Sequence, residues 1–449
     1  MNYTPKPEFK EKIESLMDGK EDVKEFWEVV EKPLPKSIRC NTLKISAGEL
    51  KKRLEKKGWK VRQPYSNKEI MIVDGLSPGE LGKSKEHLLG YFYIQEVSSM
   101  MPMLALNPKR GELVLDLCAA PGSKTTQASA LMENEGTIIA NDVSLGRISI
   151  LAANLERVGA SNVIVTRHDG IQLCHKLRKL NFFFDKILLD VPCSGEGNIR
   201  SNPATYKMWN QKVINKISSL QKRIAEAAIP LLKKGGEFIY STCTHSPEEN
   251  ELNVNYLLQK FGLRVQPVSL PIKYRSGITK YKGEDISPEL KKACRIYPQD
   301  NDTEGFFLCK MKKTGREVAI VVFYDNENFL IQDRKDMQKW GEEYGYFGGR
   351  IEEGETPEQA LKREVKEELG IEIRGYELFK DYEETIKHGD NALTNLRRVV
   401  YVAPIPDLKK LRVNEGKLAL MKHEEALRTK MIPGDTELLN EIYEYVRKK

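Results

Sequence analysis

Two cysteines stand where a thiol could do chemistry. The segment "LLDVPCSGEG" (188–197) ends an apolar run in Val191-Pro192-Cys193, and "YSTCTHS" carries Cys243 at the end of a later one. Both follow segments that read as sheet strands, so their placement does not rank them as nucleophiles. A free thiol is only a few per cent ionised at neutral pH, so an attacking cysteine needs surroundings that favour the thiolate. Taken singly, each is better read as a buried structural cysteine. His245 lies two residues beyond Cys243, on the same face of a strand. No orienting partner or oxyanion loop accompanies it, so a structural histidine is a better reading than a Cys/His hydrolase. The seven cysteines (40, 118, 174, 193, 243, 294, 309) are never closer than 15 residues, which excludes Cys-x-x-Cys pairs.

A second group of residues suits a nucleotide-like ligand. In "LDLCAAPGSKTTQ" small residues and Gly122 let the backbone turn tightly into a helix starting near Ser123, where a ligand can approach closely. Asp142 ends the next strand at the spacing where an acidic residue meets ribose hydroxyls. Asp169 and Asp190 close the two strands after that. One strand-end aspartate is ordinary capping; three on successive strands are hard to assign to capping alone.

The elements that must position these residues alternate. Apolar strands are expected at "ELVLDL", "TIIAND", "NVIVTR", "FDKILLD" and "GEFIYST", separated by helices, which implies a parallel sheet covered on both faces with ligands beyond its carboxyl ends. Over 212–232, Val213, Ile217, Leu220, Ile224, Ala228 and Leu231 are spaced as the apolar face of a covering helix. Residues 21–75 read as helix, strand, helix, strand, with "SIRCNTLKI" extended. Ser46 caps the second helix and Gly58 ends it. That helix carries Lys51, Lys52, Arg53, Lys56 and Lys57, a solvated face or a phosphate contact. Near 310–317, "KMKKTGRE" precedes a new strand at "VAIVVFY". These breaks give an N-terminal α+β region (1–110), a doubly wound domain (111–313) and a further domain (316–449).

Length and charge agree with several domains. At 449 residues with 31% charged and 8% aromatic residues, the profile is that of a globular protein rather than a disordered or fibrous one. The start lacks the apolar core of a secretory signal and no run approaches a membrane span, so a cytoplasmic protein is expected. The net charge of +7 divides into +12 over 1–315 and −5 over 316–449, which suggests a front part that meets nucleic acid joined to an acidic module.

The motifs "CAAPGSK", "NDVSLGR", "DVPCSGEGNIRSNP" and "STCTHSPEENE", preceded by "YFYIQEVSSMMP", resemble those of RNA cytosine-5 methyltransferases of the Sun (Fmu) type over roughly residues 20–312. The resemblance implies a Rossmann-like fold and S-adenosylmethionine as cofactor. Cys118, Ala119, Ala120, Pro121, Gly122, Ser123 and Lys124 would hold it, with Asp142 and Arg147 at the ribose and Asp169 near the adenine. Carbon 5 of cytosine is a poor nucleophile until a thiolate adds to carbon 6, so covalent catalysis splits one hard step into easier ones. DNA cytosine methyltransferases use the Pro-Cys cysteine. The family resembled here uses the Thr-Cys cysteine, which is Cys243, and its Pro-Cys thiol, Cys193, assists product release. Asp190 would hold the cytosine edge through a proton at ring nitrogen 3, and Lys124 is a candidate for electrostatic help, though cofactor contact explains it equally well. The substrate is expected to be a flipped or single-stranded cytosine. Relatives of this length often act on tRNA and others on ribosomal RNA; tRNA is favoured here. There is no room between Asn41 and Asp74 for the inserted domain with which some relatives grip the tRNA acceptor end.

Residues 349–371, "GRIEEGETPEQALKREVKEELGI", match every fixed position of the Nudix box, and the resemblance covers about 316–446. Thr356, Pro357 and Gln359 form a helix start, after which Glu364, Glu367 and Glu368 fall on one face. Three carboxylates on one face repel one another and ask for a cation, and oxygen-only ligands suit magnesium or manganese. An α/β/α fold that hydrolyses a nucleoside diphosphate derivative is implied, with Tyr346, Phe347 and Arg398 as candidates to line the base pocket.

Overall fold

The computed structural model describes residues 4–325, 327–336, 342–352, 355–388, 392–432 and 434–448. The chain divides into two compact units, Met1–Lys313 and Thr314–Lys449.

In the first unit, helices α1 (Pro7–Glu14) and α2 (Lys20–Val30) lay Phe9, Ile13 and Phe26 against Ile199, Tyr206 and Trp209. Strand β1 (Ser37–Cys40), helix α3 (Ala47–Glu55) and strands β2 (Lys60–Arg62), β3 (Ile70–Asp74) and β4 (Phe92–Ile94) follow. The strands form an antiparallel sheet in the order β2-β3-β1-β4. Ser46 and Glu49 make a full capping box at α3. The extended stretch expected over 37–45 stops at Cys40, because the Asn41 amide donates to the carbonyls of Gly90 and Val158, both at 2.8 Å, and turns the chain.

Next come α4 (Val97–Leu106), β5 (Leu113–Asp116), α5 (Ser123–Leu131), β6 (Thr137–Asp142), α6 (Leu145–Val158), β7 (Val163–Arg167), α7 (Gly170–Lys179) and β8 (Phe184–Asp190). They lead into α8 (Gln211–Ala228), β9 (Leu232–Thr242), α9 (Glu251–Lys260), β10 (Leu263–Val265), β11 (Arg275–Ser276), β12 (Cys294–Ile296) and β13 (Phe306–Lys313). All five apolar segments are strands. The sheet order is β11-β12-β13-β9-β8-β5-β6-β7, with β10 added on β13, and β5 to β9 pair in parallel. Strand order reverses between β5 and β8, so the crevice beyond their carboxyl ends is where an open sheet binds ligands.

Helix α8 departs from expectation. Val213 (47% exposed) and Leu220 (39%) face outward, while Ile214, Ser218, Gln221, Ile224, Ala225 and Ala228 are buried. The buried stripe is shifted because two polar residues in it have partners underneath: Ser218 Oγ lies 2.8 Å from Asn253 Oδ1, and Gln221 reaches the loop after β8.

The second unit holds β14 (Arg316–Tyr324), β15 (Asn328–Asp333), β16 (Tyr344–Gly345), β17 (Phe347–Arg350), α10 (Pro357–Leu369), β18 (Glu377–His388), β19 (Ala392–Pro404), β20 (Lys417–Lys422) and α11 (Asp435–Lys448). The strand order is β16-β15-β14-β19-β18, with β17 on β14 and β20 on β15. Alternate residues feed opposite faces: Val321, Phe323 and Val399 pack with Leu361 and Val365 of α10, and Val322, Val400 and Val402 with Leu438 and Ile442 of α11. This is the α/β/α layering expected. Among the described residues of the whole chain, no helix is long and apolar enough to cross a membrane.

Candidate active sites

Strands β8 and β9 are neighbours, and each runs out into a cysteine loop. The two thiols meet: Cys193 Sγ lies 2.9 Å from Cys243 Sγ. The loops are tied by Ser194 Oγ to Thr244 Oγ1 at 2.9 Å and by the Gly197 N–H donating to the Cys243 carbonyl at 2.9 Å. Sharing a hydrogen bond with Cys243, together with burial, holds the Cys193 thiol well above its ordinary pKa. Asp190, which ends β8, accepts from Lys124 Nζ at 2.7 Å and from Ser241 Oγ at 2.9 Å. Lys124 is buried, also donates to Ser99 Oγ at 3.0 Å and lies over the Phe306 ring. Its charge is thus paired with the aspartate.

The loop 118–124 leaves β5 beside this group. Gly122 has φ +101°, and a Cβ there would lie 2.8 Å from Leu151 of α6, so glycine supplies both the turn and the close helix approach. Burial raises the Cys118 thiol pKa. Asp142 is buried and Arg147 pairs with it at 3.1 Å while also donating to the Ala120 carbonyl, so Arg147 fastens the loop to the end of β6. Arg147 and Asp142, both expected at the ribose side, are thus paired with each other. Asp169 caps α7 through the Gln172 N–H at 3.0 Å, and Asp142 accepts the Ser144 N–H at 2.9 Å, so two of the three strand-end aspartates do serve local capping.

Several residues of the site carried no readable signal in the sequence. Asp116 ends β5 and accepts from Thr125 Oγ1 at 2.7 Å, but its Oδ1 is buried without a partner and burial pushes it up to about 7. Arg39 reaches from β1 to the start of α5, donating to the Ser123 carbonyl at 2.7 Å and Thr126 Oγ1 at 2.9 Å. Glu196 is buried and accepts from Trp209 Nε1 (2.7 Å), Ser246 Oγ (2.9 Å) and Thr244 Oγ1 (3.0 Å). Glu249, in the stretch "SPEEN", is also buried. His245 is buried and stacked on Tyr297 at 5.1 Å, a packed histidine. On α3, Arg53 and Lys57 are engaged by Glu86 and Lys51 by Glu55, which leaves Lys52 and Lys56 facing a cleft also lined by Lys44 and Lys85.

In the second unit α10 starts with the expected capping box of Thr356 and Gln359. Glu368 is buried and accepts the Gly348 N–H at 2.9 Å, and a Cβ on Gly349 would strike the Glu364 carboxyl, so the helix lies tight on β17. Burial pushes Glu368 up to about 7 and raises Glu364 as well, and Glu415, brought in from a distant loop, adds to both shifts. Glu367 stays exposed. Arg363 clamps Glu355 at 3.0 Å and meets Glu364 at 2.7 Å and Glu367 at 3.5 Å. No group of three acidic, histidine or cysteine side chains is drawn together as a metal cluster among the described residues. Tyr346, Phe347 and Arg398 do not line a pocket: all three are buried. Phe347 packs on Phe323, Tyr346 donates to the Asp435 carbonyl at 2.9 Å, and Arg398 pairs with Asp435 and Glu384.

Residues 103–312 match the family described as 16S rRNA methyltransferase RsmB/F, and residues 6–97 match the N-terminal domain of 16S rRNA methyltransferase RsmF. A tRNA (cytosine(49)-C(5))-methyltransferase of Pyrococcus abyssi is 42% identical over 316 residues, which cover 70% of this chain and 99% of that protein. The chain belongs to the Sun/Fmu-type family of RNA cytosine-5 methyltransferases. Ribosomal RNA small subunit methyltransferase F of Vibrio campbellii is 41% identical, but the match spans 69% of this chain and only 63% of that protein. The crystal structure of a methyltransferase homolog from Pyrococcus horikoshii, 37% identical, covers 69% of this chain and 99% of its own, with a TM-score of 0.58. Residues 313–442 match the NUDIX domain. The chain is thus an S-adenosylmethionine-dependent RNA cytosine-5 methyltransferase with a C-terminal Nudix domain.

Membership of the methyltransferase family implies a cofactor with a sulfonium, an ammonium and a ribose diol. The residues present fit it: Asp116 has an orphaned acidic oxygen, Asp142 is a buried carboxylate, and the glycine turn opens a helix start. For the Nudix domain, buried Glu368 and half-buried Glu364, both with raised pKa values, are oxygen donors whose chemistry suits a hard divalent cation, with Glu367 exposed on the same helix.

Proposed function

We propose that this enzyme methylates carbon 5 of a cytosine in tRNA through a covalent adduct on Cys243, with Cys193 serving release. The observation that carries the reading is the meeting of the two thiols beside the Asp190–Lys124 pair, at the sheet's switch point. Cys243 thiolate adds to carbon 6, forming the C–S bond and pushing an electron pair towards carbon 5 and ring nitrogen 3, where Asp190 shares a proton. Carbon 5 takes the methyl group that the cofactor supplies. Loss of the carbon 5 proton then re-forms the double bond and expels the Cys243 sulfur.

Release needs a base, and the cause of the Cys193 shift tells when one becomes free. Its largest contribution is the hydrogen bond with Cys243, and the charge of Cys243 adds to it. Once Cys243 is bound to carbon 6 as a thioether, the hydrogen bond and the charge that opposed the Cys193 thiolate are gone while burial still opposes it; after Cys193 gives its own proton to solvent, its thiolate accepts the carbon 5 proton. Support for tRNA comes from the Pyrococcus abyssi relative, which the shared segment spans almost end to end, whereas the ribosomal enzyme extends well beyond it. Lys52, Lys56 and Lys85 are the cations that would meet RNA phosphates.

The test is an adduct trap. Cys193→Ala, incubated with S-adenosylmethionine and either tRNA or small-subunit rRNA, accumulates a denaturant-resistant protein–RNA complex with tRNA, while Cys243→Ala forms none. An adduct from the Cys243 variant would reverse the roles, and one only with rRNA would change the substrate. For the C-terminal domain the reading is hydrolysis of a nucleoside diphosphate derivative. Glu364, Glu367 and Glu368 would hold magnesium or manganese, which activates water and neutralises diphosphate oxygens when bound.

A further inference from the structure

One of the polar residues that α8 buries, Gln221, reaches the Cys193 loop. Gln221 Nε2 donates to the Pro192 carbonyl at 2.8 Å and to Glu249 Oε2 at 2.9 Å. The same Glu249 oxygen accepts the Ser194 N–H at 3.0 Å. Pro192 and Ser194 flank Cys193, so one amide and one carboxylate hold a backbone group on each side of the thiol. The clamp is itself fixed: Asn253 Nδ2 donates to Gln221 Oε1 at 2.8 Å, which sets the orientation of the amide, and Tyr240 OH donates to the Glu249 carbonyl at 2.6 Å. Gln221, Glu249 and Asn253 are all buried. Glu249 Oε1 has no partner, an arrangement that native cores keep rarely. Cys243 follows directly on β9, whose ladder extends to Thr242, and Gln221 and Glu249 hold no backbone group next to it, although its loop is tied to the Cys193 loop at Thr244 and Gly197.

We propose that Gln221 and Glu249 are positioning residues for Cys193, acting on release of the methylated RNA and not on methyl transfer. The proposal rests on the reading of Cys193 given above. A thiol that takes a proton from carbon 5 must sit within a narrow range of that carbon, and displacement by about 1 Å can slow a step by roughly a hundredfold. The first step uses a sulfur on a strand end that the clamp does not hold.

The experiment uses the full chain with tRNA. Gln221→Met removes both donated bonds at similar volume. It is expected to transfer methyl in a single turnover within about twofold of the unsubstituted enzyme, while release slows about 10- to 100-fold and adduct accumulates. Glu249→Gln, which keeps an acceptor for the Ser194 N–H, is expected to release within about threefold of the unsubstituted rate, a rescue that loss of the clamp would not allow. If Gln221→Met fails to fold, Gln221→Asn, one methylene shorter, carries the same expectation. Release at the unsubstituted rate, or a parallel fall in transfer and release, overturns the proposal. Cys193→Ala run alongside separates the failures. No adduct from it removes the underlying reading, whereas adduct from it and none from the Gln221 variant removes only the clamp.

Discussion

His245 gives a prediction whose size follows from its surroundings. The ring is buried between Tyr297, stacked at 5.1 Å, and the edge of Phe26 at 5.9 Å, and its carbonyl accepts from Arg295 at 3.0 Å. Burial, with a smaller contribution from the Arg295 charge, lowers its pKa from 6.5 to about 3. The folded state thus binds this proton less readily than the unfolded chain, whose histidine titrates near 6.5. Between those values the unfolded state holds more protons, so the stability present above pH 6.5 is lost as pH falls towards 3. At pH 4 the loss from this one group is roughly 3 kcal/mol, about 1.4 kcal/mol for each unit below 6.5. His245→Leu removes the titration. The variant starts less stable at pH 7 because the stacked ring is gone, but the gap narrows by about 3 kcal/mol by pH 4. Urea unfolding of the full chain at pH 7, 6, 5 and 4, followed by tryptophan fluorescence, measures it. Trp27, Trp59 and Trp209, three of the four tryptophans, belong to the first unit. Parallel stability curves for the two proteins would refute the reasoning, because they would mean that His245 ionises in the folded state as easily as in the unfolded one.

Arg39→Met is expected to weaken S-adenosylmethionine binding about tenfold, near 1.4 kcal/mol, because the Ser123 carbonyl and Thr126 hydroxyl at the start of α5 lose their charged donor. Calorimetric titration reads it, and an unchanged Kd in a folded variant would show that the loop holds itself. In the C-terminal domain, magnesium-dependent turnover of ADP-ribose or an oxidised nucleotide is expected and is lost in Glu367→Gln. No turnover across a broad nucleotide panel would leave this domain a role in positioning RNA or in assembly.

What could be read from the sequence was what repeats locally. The five strands, the glycine turn at 122, the helix cap at Ser46, the capping box at Thr356 and the Nudix helix follow from periodicity and local hydrogen bonding, and each lies where it was expected. The polar side of α8 was misread because Ile217 and Leu220 made an apolar pattern as regular as the true one. Only the partners of Ser218 and Gln221, contributed by the β8 loop and α9, decide which side turns inward. Arg39 is more than 80 residues from the loop it holds, so no spacing rule reaches it. Tyr346, Phe347 and Arg398 were candidates to line a base pocket. Their burial on the faces of a covered sheet, and the Asp435 partner of Arg398, are tertiary facts.

An apolar α8, as the spacing of Val213, Ile217 and Leu220 first suggested, would have made a simpler floor for the sheet. It would also have left the Pro192 carbonyl without its Gln221 partner, with only Glu249 still serving the Ser194 N–H. The strand ladder stops at Asp190, and buried backbone groups past that point must be satisfied by side chains or water. Gln221 and Glu249 satisfy both, at the expense of burying a carboxylate that burial pushes up to about 7. A fold that only needed a lid would not accept a half-satisfied acid beneath a cysteine loop, since apolar packing is the more stable choice. The polar floor therefore belongs with the chemistry above it, holding still a thiol that no strand holds.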